Sequence, residues 1–182
     1  MPKIRNIVQP PFTIQKFVSH YITNAIISEL SGIKTYQAAI SMMSNGKLCR
    51  HQYRVAKNAR NAFTRNLRSF NNITAGCSTF EDLHSVVKTC VVKGIGPLTV
   101  YDTAMRIAWV LNQKLLPCNY IYLNAGAYSG ATYFQSQFPS VFPSGVKHCI
   151  STQSFNLPSN ISLPIPDGMT LPMIIEDFMC AV

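Results

Sequence analysis

The chain has 182 residues, room for one domain or one domain with a small appendage. Apolar residues make up 47%, enough for a sizeable core, and 16 Lys and Arg against 7 Asp and Glu leave a net charge of +9. That balance points to an anionic partner (nucleic acid, an anionic surface or an acidic protein), while no apolar run approaches the roughly 18 residues of a membrane span.

The first residues, "MPKIRNIVQPPF", carry two basic side chains and no apolar stretch before Pro10 and Pro11, so no secretory leader is expected. Cys49, Cys77, Cys90, Cys118, Cys149 and Cys180 are scattered, with no C-x-x-C pair among them. A cytoplasmic chain with reduced thiols is the expectation. Cys49 with His51, and His148 with Cys149, lack the usual spacing of a zinc site, and no metal or cofactor is expected. There is no Walker loop, nucleophile elbow or H-E-x-x-H.

In chain order, "TIQKFVSHYITNAIISELSG" and "TYQAAISMMSNG" read as two helices, each opening near a Thr and stopping at a Gly. "KLCRHQYRVAKNARNAFTRNLRSF" follows as a basic helix. Not one Asp or Glu occurs from residue 30 to residue 80. At 100° per residue, Arg50, Arg54, Lys57, Arg65 and Arg68 share one face, and Val55, Ala59, Ala62, Phe63 and Phe70 the opposite one. Five like charges on one face repel, and an anionic partner relieves that repulsion. Four of the five are Arg, the side chain best suited to bidentate phosphate contact. Asn58, Asn61 and Asn66 lie among them, able to bond backbone or bases. The opposite face has the Ala and Phe of a core-packing helix rather than the Trp and Leu of a membrane-surface one.

After the polar turn "NNITAGCST", a capping box is expected at Ser78 and Glu81, opening a helix with Phe80, Leu83, Val86, Val87, Cys90 and Val91 on one buried face. A second face, Val100, Tyr101, Ala104, Ile107, Ala108 and Leu111, follows the turn "KGIGP". Pro97 suits a first helical position, and the two glycines allow positive φ or close backbone approach. The first free amides of the second helix then point outward with the helix dipole behind them, beside Lys93. Pro117 ends that helix. "NYIYL" is a short extended run, and "GAYSGATYFQSQF" a helix whose Gly126 and Gly130 allow close packing. From about 139 to 172 the chain is Pro- and Ser-rich and irregular, and "LPMIIEDFMCAV" closes it with a short apolar helix. The expected fold is mainly α: one compact multi-helix domain over 1–182.

Residues 78–112, through Val91, Gly94, Ile95, Gly96, Thr99 and Ala104, resemble the helix-hairpin-helix motif, in which two short helices joined by a hydrophobic–Gly–hydrophobic–Gly turn grip a DNA phosphate. The likeness is nearest to the helix-hairpin-helix DNA glycosylases. Leu98 stands where bifunctional members carry a nucleophilic lysine. Asn124 and Ala125 follow the extended run where members carry a catalytic aspartate, and the four-cysteine cluster of some members has no counterpart. "GIGPLTVYDTAMRIA" and "YIYLNAGAYSGA" also resemble segments of small uncharacterised bacterial proteins. The resemblance implies a grip on duplex or branched DNA through Lys93, Gly94, Ile95, Gly96 and Thr99.

Two alternatives stand beside that expectation. One is a divergent glycosylase-like enzyme acting on a flipped base, with Asp102 or Asn124 near the reacting bond and Tyr101, Tyr122 and Tyr128 free to stack on it. In that case Asp102 does more than pair with Arg106 four residues on. The other is a module that docks on an acidic protein partner.

Overall fold

The computed structural model describes residues 30–41, 55–159 and 161–181. The fold is mainly helical: α1 (Tyr36–Ser41), α2 (Lys57–Arg68), α3 (Phe80–Thr89), α4 (Pro97–Leu111), α5 (Ala125–Gln137) and α6 (Leu171–Ala181), with β1 (Tyr120–Tyr122) and β2 (Cys149–Ser151) as a two-stranded sheet. Contacts group the chain into two compact units, one within residues 29–116 and one whose described part begins at Pro117.

In the first unit, α1 is tied to α2 by the Tyr36 hydroxyl, which donates to the Leu67 carbonyl at 2.6 Å. Burial is the main cause that pushes the Tyr36 phenol up to about 12. Phe63 and Leu67 of α2 join Ile40, Ile73, Phe80, Leu83, Val87 and Ile107 in the core. Helix α3 opens one residue later than the sequence suggests. Thr79, not Ser78, is the N-cap, and Asp82, not Glu81, closes the box. The short Asp82 carboxylate accepts from both the Ser78 and Thr79 amides at 2.9 Å, and the Thr79 hydroxyl accepts from the Asp82 amide at 3.2 Å. Both frames are spelled in "STFED", and the one that satisfies more amides prevails.

Those bonds, the one from Ser78 first, hold the Asp82 carboxyl below its usual range. A depressed carboxylate contributes stability that is complete above its unfolded value and is lost as pH falls through the folded value. Acid titration of the melting temperature from about pH 4 downward should show a smaller fall for Asp82→Asn than for wild type, since the variant has already lost this contribution.

Helix α4 departs from the expected single stripe. Nine of its 15 residues are buried, among them Thr99, Asp102, Thr103 and Arg106, whereas Leu111 is 43% exposed. A helix buried all round has no face for a periodic signal to mark. The Thr103 hydroxyl returns to the Thr99 carbonyl at 2.7 Å, which satisfies one polar group within the helix itself.

In the second unit, β1 and β2 run antiparallel in the register Tyr120–Ser151, Ile121–Ile150 and Tyr122–Cys149. The amide of Leu123 donating to His148 and that of Thr152 donating to Asn119 extend the ladder by one bond at each end. Helix α5 lies against α6, where Phe134 meets Phe178 edge-on at 5.5 Å. Between them the Pro/Ser-rich chain is irregular apart from β2 and one 3-10 turn at Thr152–Ser154. It is pinned by buried Val141, Phe142, Ile161, Leu163 and Met169, and by the Thr170 hydroxyl donating to the Pro117 carbonyl.

Candidate nucleic-acid interface

Helix α2 forms without an acidic residue or a capping side chain at its start. Its N-cap, Ala56, is extended at φ −56° and ψ 140°. That break corrects the expectation of one continuous basic helix: the 100° phase linking Arg50 and Arg54 to Lys57 does not run through it. Arg50 and Arg54 themselves lie outside the described residues. Lys57, Arg65 and Arg68 are exposed, and Ala59, Phe63, Thr64 and Leu67 are buried on the other side. Arg65 and Arg68 occupy the last turn, where the helix dipole favours a cation.

Sequence reading passed over Arg60. Its phase, between Leu67 and Thr64, places it towards the buried side. Its Nε and Nη1 are closed off from solvent and without a hydrogen bond. Counting helical steps would have separated it from the solvent-facing cations. Lys88, exposed in the last turn of α3, is a further cation near the turn that sequence reading omitted.

The turn follows directly. Cys90 caps α3, the Ile95 amide donates to the Val92 carbonyl at 3.1 Å, and Gly94 adopts φ +95°, a conformation that L side chains rarely take. Ile95 is buried and anchors the turn, while Val91 is 39% exposed and does not share the buried face expected of it. Gly96 is the N-cap of α4 at φ −95°, with no side chain capping the amides that follow and Pro97 at the first position. A Cβ added at Gly96 would meet nothing within 4 Å. Lys93 is exposed beside this opening, whereas the Thr99 side chain is buried, leaving its backbone amide as the group on offer.

Two contacts bring helix and turn together. The Asn66 carboxamide donates to the Cys90 carbonyl at 3.0 Å, so Asn66 is committed to structure rather than to a ligand. A Cβ at Gly94 would come within 3.4 Å of the Ala59 Cβ, which puts the turn against the first half of α2. Of the carboxylates that flank the turn in sequence, Glu81 and Asp82 sit in the first turn of α3, at the end away from the glycines, and Asp102 is buried within α4. The first unit thus joins an uncapped helix start, a glycine turn and exposed cations.

Compared with protein-family models, with curated proteins and with solved structures, the chain matches none.

Asp102 is 4% exposed and Arg106, one turn on, 2% exposed, both within the body of α4. Tyr101 is not free to stack on a base: it is 1% exposed and packs edge-on against Phe80 at 5.7 Å. Asn124 belongs to the second unit, as the N-cap of α5, with Tyr128 there stacked on His148 at 4.4 Å. Of the cysteine and histidine pairs weighed for zinc, Cys49 and His51 lie outside the described residues. Among the described residues, no helix is long and apolar enough to cross a membrane.

Proposed function

We propose that the protein binds DNA, duplex or branched, by gripping phosphates with the turn at Lys93–Thr99 and the cationic face of α2, largely without regard to sequence. The observation that supports this most is that the turn leading into the uncapped start of α4 lies, through Gly94 and Ala59, against a helix whose exposed cations have no carboxylate among them. Backbone amides at a helix start attract a phosphate oxygen, and the flanking cations supply the long-range attraction. Such contacts position a protein on the duplex and do not read bases. Resemblance to the helix-hairpin-helix superfamily supports the same reading through Gly94, Ile95 and Gly96.

The enzyme alternative draws less support, because Tyr101 and Asp102 are core residues of α4. An acidic protein partner would use the same cations, and the test separates the two. Lys57, Arg65, Arg68 and Lys93 should give log K against log salt a slope of about −3.6 or steeper, at about −0.9 for each phosphate neutralised. Titration of labelled duplex and branched DNA at several salt concentrations measures it. A slope near zero, or binding confined to one sequence, would overturn the proposal. Abasic product would favour the enzyme.

A further inference from the structure

The start of the 12-residue helix α2 carries charge of the wrong sign for a helix start. Free amides and the helix dipole gather partial positive charge there, and acidic or capping side chains normally answer it. In α2 no acidic residue occupies the first turn, and Ala56 at the N-cap offers no side-chain acceptor. Two cations stand there instead: Lys57 at the first position, exposed, and Arg60 one turn on. The Ala59 amide donates to the Asn58 side chain at 2.9 Å, and the Arg60 amide to the Ala56 carbonyl at 3.0 Å. The amides of Lys57 and Asn58 come before these, where no carbonyl of the helix can reach them.

Arg60 adds a second, independent observation. Its Nε and Nη1 are sealed from solvent and have no hydrogen-bond partner, although the residue as a whole keeps some exposure. No carboxylate meets either nitrogen. Asp82 is committed to the Ser78 and Thr79 amides, and Asp102 is buried within α4. A side chain on an α-helix lies back over the turn N-terminal to its own Cα, which directs Arg60 over the first turn of α2. A buried charge without a partner is costly, and surroundings poor in water strengthen any pairing it makes.

We propose that the start of α2 binds a phosphate group through Arg60. Nη2, the guanidinium nitrogen outside the sealed pair, donates to one phosphate oxygen. The Lys57 and Asn58 amides donate to another, and the Lys57 ammonium adds its charge. A phosphate carries enough oxygens to meet the guanidinium and the helix start at once. That this phosphate belongs to a DNA backbone rests on the reading proposed above; that Arg60 takes one does not.

Inorganic phosphate is the probe, titrated into the full chain with ionic strength held constant by sodium chloride. Saturable shifts of the Lys57 and Asn58 amides and of the Arg60 Nε proton are expected, with the Gly96 amide reporting the hairpin separately. Two substitutions should weaken binding without loss of stability. Arg60→Met exchanges an unpaired charge for an apolar chain and should melt no lower than wild type. Ala56→Asp supplies the missing cap together with a fixed anion, and should melt a few degrees higher. Each should bind phosphate more weakly by about tenfold or more. Arg60→Met should also make the DNA salt slope shallower by about one unit. An unchanged DNA slope in that variant, with phosphate binding lost, would leave free phosphate as the ligand. Wild-type protein that responds to phosphate but does not bind DNA would remove the DNA reading and leave the seat standing. No saturation in wild type, a lower melting temperature for Arg60→Met, or wild-type phosphate affinity in both variants would overturn the proposal.

Discussion

Gly130→Ala should lower the melting temperature by roughly 10 °C. An alanine Cβ at that position would lie 1.8 Å from the main-chain oxygen of Met179, with the Met179 carbonyl carbon at 2.9 Å. Neither atom can rotate away, so α5 and α6 must separate along their seam. Overpacking a tight interior typically costs about 1–3 kcal/mol. A clash with backbone belongs at or above the upper end. At about 2–4 °C per kcal/mol for a chain of this size, that gives the expected shift. Gly126→Ala is the control. It lies on the same helix, its added methyl meets only a sulfur at ordinary contact distance, and its melting temperature should stay within a few degrees of wild type. Thermal circular dichroism of the two variants side by side checks the claim. Equal melting temperatures would mean that Gly130 does not set the helix separation.

The glycines of the turn should separate into two kinds. Gly94 sits at φ +95° and its missing Cβ faces Ala59, so Gly94→Ala should cost stability. Loss of DNA binding in that variant should follow loss of fold. Gly96 is different: φ is −95°, which any residue adopts, and the space over it is open. Gly96→Ala should fold as wild type does. Its methyl would occupy the proposed phosphate seat, and affinity should fall by more than tenfold, about 1.4 kcal/mol. Lys93→Ala should weaken binding to all sequences alike and make the salt slope shallower by about one unit. Binding titrations and circular dichroism on the same samples decide the matter. A folded Gly96→Ala protein with undiminished affinity would reduce the turn to a corner between helices.

The helices were legible where one face is buried and the other wet. Phe80, Leu83 and Val87 recur at helical spacing, and the structure buries them as expected. The mainly helical class follows from several such stretches. Legibility failed in three physical situations. Helix α4 is buried all round, so Thr99 and Asp102 could not be sorted from Val100 by period. The extended residue at Ala56 carries no Gly or Pro to mark it, and the basic stretch reads as continuous across it. Two overlapping capping frames, Ser78 with Glu81 and Thr79 with Asp82, differ only in which carboxylate reaches the amides.

The candidate sites divide in the same way. Lys93, Gly94 and Gly96 are neighbours in sequence, and their turn could be read directly. That it packs on α2 depends on Ala59, a residue with no chemistry of its own to draw notice. Leu123 and His148 are far apart in the chain and meet through two strands of three residues each. Elements so short leave almost no period-two signal.

The α5–α6 seam also sets an order of events when the chain is made. Helix α5 is synthesised first, with Gly126, Gly130 and Phe134 on the side of a partner that does not yet exist. The partner helix arrives only after residues 138–170, and closing a loop of that length costs about 3 kcal/mol of chain entropy. During that interval the small-residue groove lies open to water and to other nascent chains. The second unit is thus most vulnerable to capture by chaperones, or to misassembly, before its last helix has emerged.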